Sequence, residues 1–578
     1  MKMCRIPIAG LMRICAAAGL FLLNPNQAGA QLSTFPENYP NENRPPLPSY
    51  RSPTTPTLTV PPPPSPSTEP LSAQARVFVR RFQLSGNTVF SDRDLAQVTA
   101  PYENRTITSE ELQEVRHKLT LYYVERGYIN SGALIPDQKL TDGVVHIQII
   151  EGKLSGVDIS GNDWLRTSYI QNRLGAEPDQ VLNVQELQQR LQLLQQNPLL
   201  EGVNGELMPG LRPGESQLRL VVREATPYEV GMIFANDRPP QVGSKSLQLY
   251  ALHRNLTGWG DSIGIYYDYG LDQKGTNGWN GYYTLPLNAY DTTFKLWADQ
   301  EYSEVIDDPF DLNITSRIRT YGIGLAQPLY RTPQQTFSMG VNLELRRSVS
   351  YLDGERFSFA LGSENGEAKE TPLRLYQEWL DRDLQQVIAA RSTLSIGLDA
   401  FDATQQHGSI PDGQFVTWLA QFQWARQLSD WGLQAIFRTD LQLSNRSLLS
   451  MEQCAVGGSS TVRGYRENEL VRDECFIASL EFRVPVLALP VPGLSRGAGD
   501  GLLQLAPFVD YGRGWNKTWP TPSPKSISSA GLGLRWDISP STRAAVYWGH
   551  PFDRISNGGA DHDLQDRGIS FFVQLAYP

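Results

Sequence analysis

Cysteine is scarce in this chain. There are four in 578 residues, and only Cys454 and Cys475 lie beyond the first fifteen positions, which excludes a cysteine-rich zinc module and a disulfide-dense miniature fold. Histidine is nearly as rare: six, scattered, with no HExxH pair. GxSxG spacing occurs at Gly260-Asp261-Ser262-Ile263-Gly264 and Gly493-Leu494-Ser495-Arg496-Gly497, but neither leads into a helical pattern as a nucleophile elbow does, and no Walker-type phosphate loop occurs. Metallohydrolase, serine-hydrolase and nucleotide-hydrolase chemistry therefore lack the residues or the setting they need, and the sequence reads as a non-enzyme with no cofactor and no metal. The acidic groups Asp307-Asp308 and Asp561-His562-Asp563 read as solvated loop charge rather than calcium ligands. Basic charge is not in excess, with Lys+Arg 51 against Asp+Glu 61, so no field exists to gather nucleic acid. Long apolar runs are missing too: nothing approaches about 18 uninterrupted apolar residues, which excludes helical membrane spans and leaves spans built from strands open.

What is present begins with an export signal. Lys2, Arg5 and Arg13 accompany the apolar run Ile14 to Leu23, and Ala28-Gly29-Ala30 supplies a small-residue cleavage site. Residues 1–30 are the expected signal peptide, so Cys4 and Cys15 leave with it. Pairing of Cys454 with Cys475 is then the simplest outcome in a compartment that permits disulfides. Residues 31–75 are dominated by Pro, Ser, Thr and Asn, including Pro61-Pro62-Pro63-Pro64, and predict an extended linker that buries nothing.

Two units with one internal order follow, 76–153 and 154–226, marked by Ser85-Gly86-Asn87 and Ser160-Gly161-Asn162. In the first, a strand from Val77 to Leu84 precedes a short helix from about Asp92 and a longer one opening at Thr108. Thr108 and Glu111 have capping-box spacing, and Leu112, Val115 and Leu119 form a stripe at helical period. Gly127 ends that helix, and two strands close the unit, the second carrying Val145, Ile147 and Ile149 in alternation. The second unit repeats the order with a helix near Trp164, capping spacing at Asn183 and Glu186, the stripe Leu187, Leu191 and Leu194, and the strand Leu218, Leu220, Val222. Each is an α+β unit of order β-α-α-β-β.

From 227 to 578 the period becomes two. Ile263, Ile265, Tyr267 and Tyr269 share one side; Leu532, Leu534 and Trp536 another such side; the chain closes on Ile569, Phe571, Val573, Leu575 and Tyr577. Such strands, near the ~9 to 11 residues a tilted span requires and aromatic toward their ends, predict a membrane β-barrel behind the export signal. Lipid tolerates no open strand edge, so the sheet must close. In Leu503 to Gly512, parity sends Val509 and Tyr511 to the lipid side and Phe508 and Asp510 to the lumen, where a charge is tolerable.

The segment TVRGYRENEL at Thr461 to Leu470, with PFVDYG at Pro507 to Gly512, resembles the VRGY and FxDxG motifs of the Omp85 superfamily, and specifically its two-partner secretion transporters. GYINSGALIPDQKLTDGVVHIQIIEGKL (Gly127 to Leu154), PGESQLRLVV (Pro213 to Val222) and NLTGWGDSI (Asn255 to Ile263) extend the likeness over most of the chain after Arg76. The resemblance implies two periplasmic POTRA domains ahead of an outer-membrane barrel of about 16 antiparallel strands. Val462, Arg463, Gly464 and Tyr465 would lie on a long loop folded into the lumen, with Arg463 meeting Asp510 between Phe508 and Gly512 on the wall. The disulfide would tie the base of that hairpin. A secreted exoprotein with an N-terminal secretion domain would dock on the POTRA units, by strand addition and in a groove lined by Leu112, Val115, Leu187 and Leu191. It would then thread a monomeric, lipid-embedded pore. Many members carry a pore-plugging helix ahead of the first POTRA domain; the proline content of Gln31 to Ala73 departs from that pattern and leaves the plug an open question. The alternative within the superfamily is a barrel-assembly factor, and a passive porin or a soluble adhesin are more remote.

Overall fold

The computed structural model describes residues 56–60 and 76–577, apart from 141, 176–179, 213, 273–275, 307–312, 498, 554 and 556–562. The expected signal peptide and the acidic residues Asp307, Asp308, Asp561 and His562 lie outside the described residues. The chain divides into two units, one of Pro53–Thr226 with Asn255–Gly260, the other holding Pro227–Arg254 and Asp261–Pro578.

Within the first unit, the leading repeat contains β2 (Arg76–Val79), β3 (Arg81–Ser85), α1 (Asp92–Thr99), β4 (Arg105–Thr108), α2 (Ser109–Val124), β5 (Gly132–Leu134) and β6 (Val144–Ile150). A strand β1 (Thr57–Thr59) precedes them. The single strand expected from Val77 to Leu84 is two strands broken at Arg80. Val79 and Phe82 are both buried, and residues three apart cannot share one face of a straight strand, so the chain bends between them. β2 then pairs with β4, while β3 runs parallel to β6. Helix α2 starts where its capping box dictates: the Thr108 hydroxyl accepts from Glu111 N at 3.2 Å and Glu111 Oε2 accepts from Thr108 N at 2.8 Å, an arrangement worth about 1 kcal/mol.

The second repeat comprises β7 (Lys153–Ser160), α3 (Thr167–Leu174), α4 (Val184–Gln195), β8 (Leu200–Pro209) and β9 (Glu215–Glu224). Its sheet runs β1-β8-β9-β7, with β7 parallel and β8 antiparallel to β9. The fourth strand comes from the proline-rich segment: Thr57–Thr59 pairs in parallel with Asn204–Glu206. This part of 31–75 is therefore not a free tether.

The helical stripes require a correction. Val115, Leu187 and Leu191 are fully buried and Leu112 is half-buried, all packed into the cores of their own repeats. Each repeat is small and uses its only apolar helix face to cover its own sheet, so these residues line no groove open to a partner.

In the second unit, sixteen antiparallel spanning strands close into a barrel. Closure joins Tyr228–Ala235 to Ile569–Tyr577 through six register pairs from Val230↔Tyr577 to Ala235↔Phe572. Alternation puts Ile265, Tyr267, Tyr269, Val509 and Trp548 on the exposed outer face, as lipid demands. Asp510, Glu481, Arg483 and Arg346 are buried on the inner one. The adjoining strands Ile314–Arg331 and Gln335–Leu352 have eighteen residues each, well beyond the ~9 to 11 of a tilted span.

Candidate functional site

The connection from Ser444 to Glu474 folds into the barrel interior as a hairpin, Cys454–Val456 pairing antiparallel with Leu470–Arg472. Cys454 is disulfide-bonded to Cys475 on the wall strand Glu474–Ala488, with Cα atoms 6.1 Å apart. The bond thus ties one arm of the hairpin to the wall as well as closing its base. Cys454, Val456, Val462, Tyr465 and Leu470 form an apolar cluster with Ile477 and Ile527 of the wall.

At the tip, Val462 and Tyr465 are buried and flank the turn that Gly464 makes. Gly464 has φ +94°, and a Cβ there would lie 2.9 Å from the backbone of Gly549. Only glycine permits both that conformation and that approach. Gly512 leaves the space into which Val456 and Val462 pack. The Tyr465 hydroxyl donates to Ser528 O at 2.9 Å and accepts from Asp553 N at 3.3 Å.

Arg463 meets Asp510 as a fork on a carboxylate. Nε donates to Oδ2 at 2.8 Å, Nη2 to Oδ1 at 2.9 Å, and the backbone N to Oδ2 at 3.0 Å. Nη1 also bonds Glu481, whose other oxygen accepts from Arg483 Nε at 2.9 Å, and Ser479 Oγ donates to Asp510 Oδ1 at 2.7 Å. The guanidinium carbon sits 3.7 Å over the Phe508 ring and 5.0 Å from that of Tyr547. Two buried cations therefore face two buried carboxylates, with the lone pairs satisfied, the condition under which buried ion pairs persist.

The loop is held at a second point. Glu452, just before the disulfide, accepts from Arg346 Nη1 at 2.7 Å and from Arg374 at 2.6 and 3.0 Å, and Arg374 Nε donates to Glu344 at 3.1 Å. It is held at a third by Arg466, which pairs with Asp566, while Glu467 N donates to Gln565 Oε1 at 2.9 Å. Gln565 Nε2 donates in turn to Asn236 O and Arg238 O at 2.8 and 2.7 Å. Asn236 stitches first strand to last, donating from Nδ2 to Ile569 O at 2.9 Å and accepting from Phe571 N at 2.7 Å. The loop thus reaches the wall at Arg346 and Arg374, at Asp510, and at the closing seam.

The nine residues expected at this site, Val462, Arg463, Gly464, Tyr465, Phe508, Asp510, Gly512, Cys454 and Cys475, lie together there; Leu112, Val115, Leu187 and Leu191 do not. The sequence reading passed over Ser479, Glu481 and Arg483, although the same parity argument applied to their strand faces them inward. It also passed over Arg466, inside the quoted motif, and Glu452, for which no local pattern exists.

The profile of the haemolysin secretion/activation protein ShlB/FhaC/HecB family matches residues 214–536, and that of the ShlB-type POTRA domain matches 77–152. The chain belongs to this family. It is 23% identical over 401 residues to the outer membrane transporter CdiB of Dickeya dadantii, covering 67% of this chain and 69% of that one. The solved structure of CdiB from Escherichia coli superposes with a TM-score of 0.69 at 22% identity, covering 90% and 94%. That of BamA from Haemophilus ducreyi lacking POTRA domains 1-3 gives 0.51 at 14%, covering 87% and 100%, and shares the fold alone. As a family member with two POTRA repeats and a closed barrel, the chain is an outer-membrane transporter of two-partner secretion, its POTRA domains periplasmic and a secreted exoprotein its partner.

Proposed function

We propose that one dedicated exoprotein, bearing an N-terminal secretion domain, is engaged unfolded by the POTRA repeats and threads the barrel beside the anchored loop. In this reading, Arg463 keeps the loop seated against the wall. The observation that carries it is the Arg463–Asp510 fork, 8% and 0% exposed, on a loop fixed at three points. A space in the barrel interior whose lining includes Ser460, Thr461, Arg391, Gln421 and Asp299 lies beside the seated loop. Folding of the cargo outside, rather than any chemistry by this chain, supplies the driving force. The transporter acts as a monomer with its apolar outer face in lipid.

The test compares culture medium and outer membrane by mass spectrometry with and without the gene. Loss of one large exoprotein from the medium, other barrels unchanged, is the expected result; depletion of many outer-membrane barrels would instead make it a barrel-assembly factor. Arg463→Ala should reduce export while the barrel still inserts. Secretion at the wild-type level would remove Arg463 from the mechanism.

A further inference from the structure

A cation on the outer face of a barrel is costly in the hydrocarbon layer and tolerated at its edge. The two eighteen-residue strands, Ile314–Arg331 and Gln335–Leu352, carry three on that face. Arg317 and Arg319 share the parity of the exposed Tyr321 and Ile323, and Arg347 that of the exposed Met339, whereas Arg346, of opposite parity, is buried inside. The chain enters the barrel from the periplasmic POTRA unit and strand direction alternates, so the Ile314 and Leu352 ends lie on the outer side of the membrane.

Register draws these charges into a row. Arg319 stands opposite Arg347, and Arg347 opposite Lys369 of the short strand Glu367–Glu370. Like charges opposite one another on one face repel. Beyond them on the same face follow Arg317 and Arg356, the latter in register with Tyr351. Glu367 answers Arg347 at 2.7 Å, Arg356 at 3.1 Å and Lys369 at 3.5 Å, and Lys369 also reaches the exposed Asp402 at 3.9 Å. Arg319 Nε donates to Gln300 Oε1 at 2.9 Å, while Arg317 Nε has no hydrogen-bond partner among the described residues. Glu304, at the end of the adjoining strand, accepts from the Tyr302 hydroxyl at 3.5 Å. One carboxylate thus serves three of the five cations.

Beneath the row the surface changes character. Ala298, Tyr321 and Leu345, two residues nearer the periplasm, are in register with one another. They line an apolar groove of about 650 Å³ together with Trp279, Tyr283 and Phe401. Gly281 keeps it open, since a Cβ there would meet nothing nearer than 3.8 Å. Exposed Tyr321 and Phe401 mark the level where aromatic rings meet the headgroups. Arginine presents paired N–H groups that match phosphate oxygens, and an apolar groove suits acyl chains.

We propose that the row Arg319, Arg347 and Lys369 binds the phosphate groups of an anionic lipid of the outer leaflet, whose acyl chains lie in the groove beneath. Phosphate between the cations relieves the repulsion that register imposes and gives Arg317 and Arg319 an anionic partner. The site requires the barrel to stand in the outer membrane and holds whatever the cargo is.

The test uses full-length protein in detergent, lipid A carrying two phosphates as the probe, and native mass spectrometry to count the lipid retained. Arg319→Gln with Arg347→Gln should lower retention about tenfold or more. Arg319→Lys with Arg347→Lys should retain an intermediate amount, and Arg212→Gln with Arg223→Gln, which removes the same charge from the POTRA unit, should retain the wild-type amount. Undiminished retention by the Arg319/Arg347 glutamine variant, or an equal loss in the POTRA variant, would overturn the proposal. Two measurements on the wild-type chain alone do not depend on any variant folding. Lipid A stripped of phosphate should be retained poorly, and excess inorganic phosphate should leave the two-phosphate lipid bound. Retention indifferent to phosphate would place binding in the groove alone, and displacement by inorganic phosphate would make this a site for a free anion; either result overturns the lipid assignment.

Discussion

Arg466 grips Asp566 through hydrogen bonds of 2.5 and 2.8 Å, joining the lumenal loop to the segment that leads into the last barrel strand. Both side chains are almost wholly buried, at 5% and 3% exposure. Loop and seam are thereby one mechanical unit, since Gln565 beside this pair bonds the loop backbone and the backbone following the first strand.

Breaking that pair should loosen the seam. Arg466→Ala leaves Asp566 buried and uncompensated, an arrangement that costs about 3 to 5 kcal/mol. Hydrogen exchange at Val230 to Ala235 and Phe572 to Tyr577 should rise, while that of strands far from the seam stays unchanged. Equal exchange everywhere would show that the six register pairs hold the seam unaided.

The Arg463 site distinguishes charge from shape. Arg463→Lys keeps the charge but cannot present two parallel N–H groups to Asp510 or lie flat on Phe508. Export should fall between wild type and Arg463→Ala. Asp510→Asn should be the more destabilising change, by about 3 kcal/mol, because Arg463 and Arg483 would then share the single carboxylate of Glu481. Thermal unfolding in detergent checks the order of the three variants.

The disulfide encloses a sequence separation of 21 residues. In the chain-entropy account a loop of that size stabilises by about 3 kcal/mol. Cys454→Ser with Cys475→Ser should lower the unfolding midpoint of the barrel and leave that of the POTRA unit unmoved.

In the first POTRA repeat, Glu151 accepts from the Thr88 hydroxyl, from Thr88 N and Val89 N at 2.8 Å each, and from the Tyr123 hydroxyl at 2.8 Å. Burial alone would raise its pKa, but these donors outweigh that and hold it below the ordinary carboxylate value. A lowered folded-state pKa contributes stability that is complete above the unfolded value near 4.5 and is lost as pH falls below it. The repeat should therefore weaken on acidification through pH 4.5 and below, and Glu151→Gln should flatten that dependence. Denaturant unfolding of the two full chains, followed by hydrogen exchange at Thr88 and Val89 across this range, measures it.

How much of this was legible in sequence depends on the reach of each signal. Period-two alternation placed Asp510 in the lumen because facing is a local property of one strand. Its company of Ser479 and Glu481 depends on the register between neighbouring strands, which alternation leaves free: Ser479 stands opposite Asp510 only because Ile477 pairs with Gly512. The stripes Leu112 to Leu119 and Leu187 to Leu194 revealed helices and their capped starts, since those are set within four residues. They did not reveal what covers the stripe, and the repeat's own sheet proved to be the cover. Proline content described the chain around Thr57–Thr59 well, yet four residues between prolines suffice for a strand when a recess such as the one Gly205 leaves for Leu58 lies waiting.

Closure between the first and last strands has a consequence for biogenesis. Tyr228–Ala235 is synthesised more than three hundred residues before Ile569–Tyr577, its only partner on that side. No ribosome-borne or partly exported chain can satisfy that edge. The polypeptide must cross the periplasm with a sticky flank, so its survival there depends on being escorted until the final hairpin arrives.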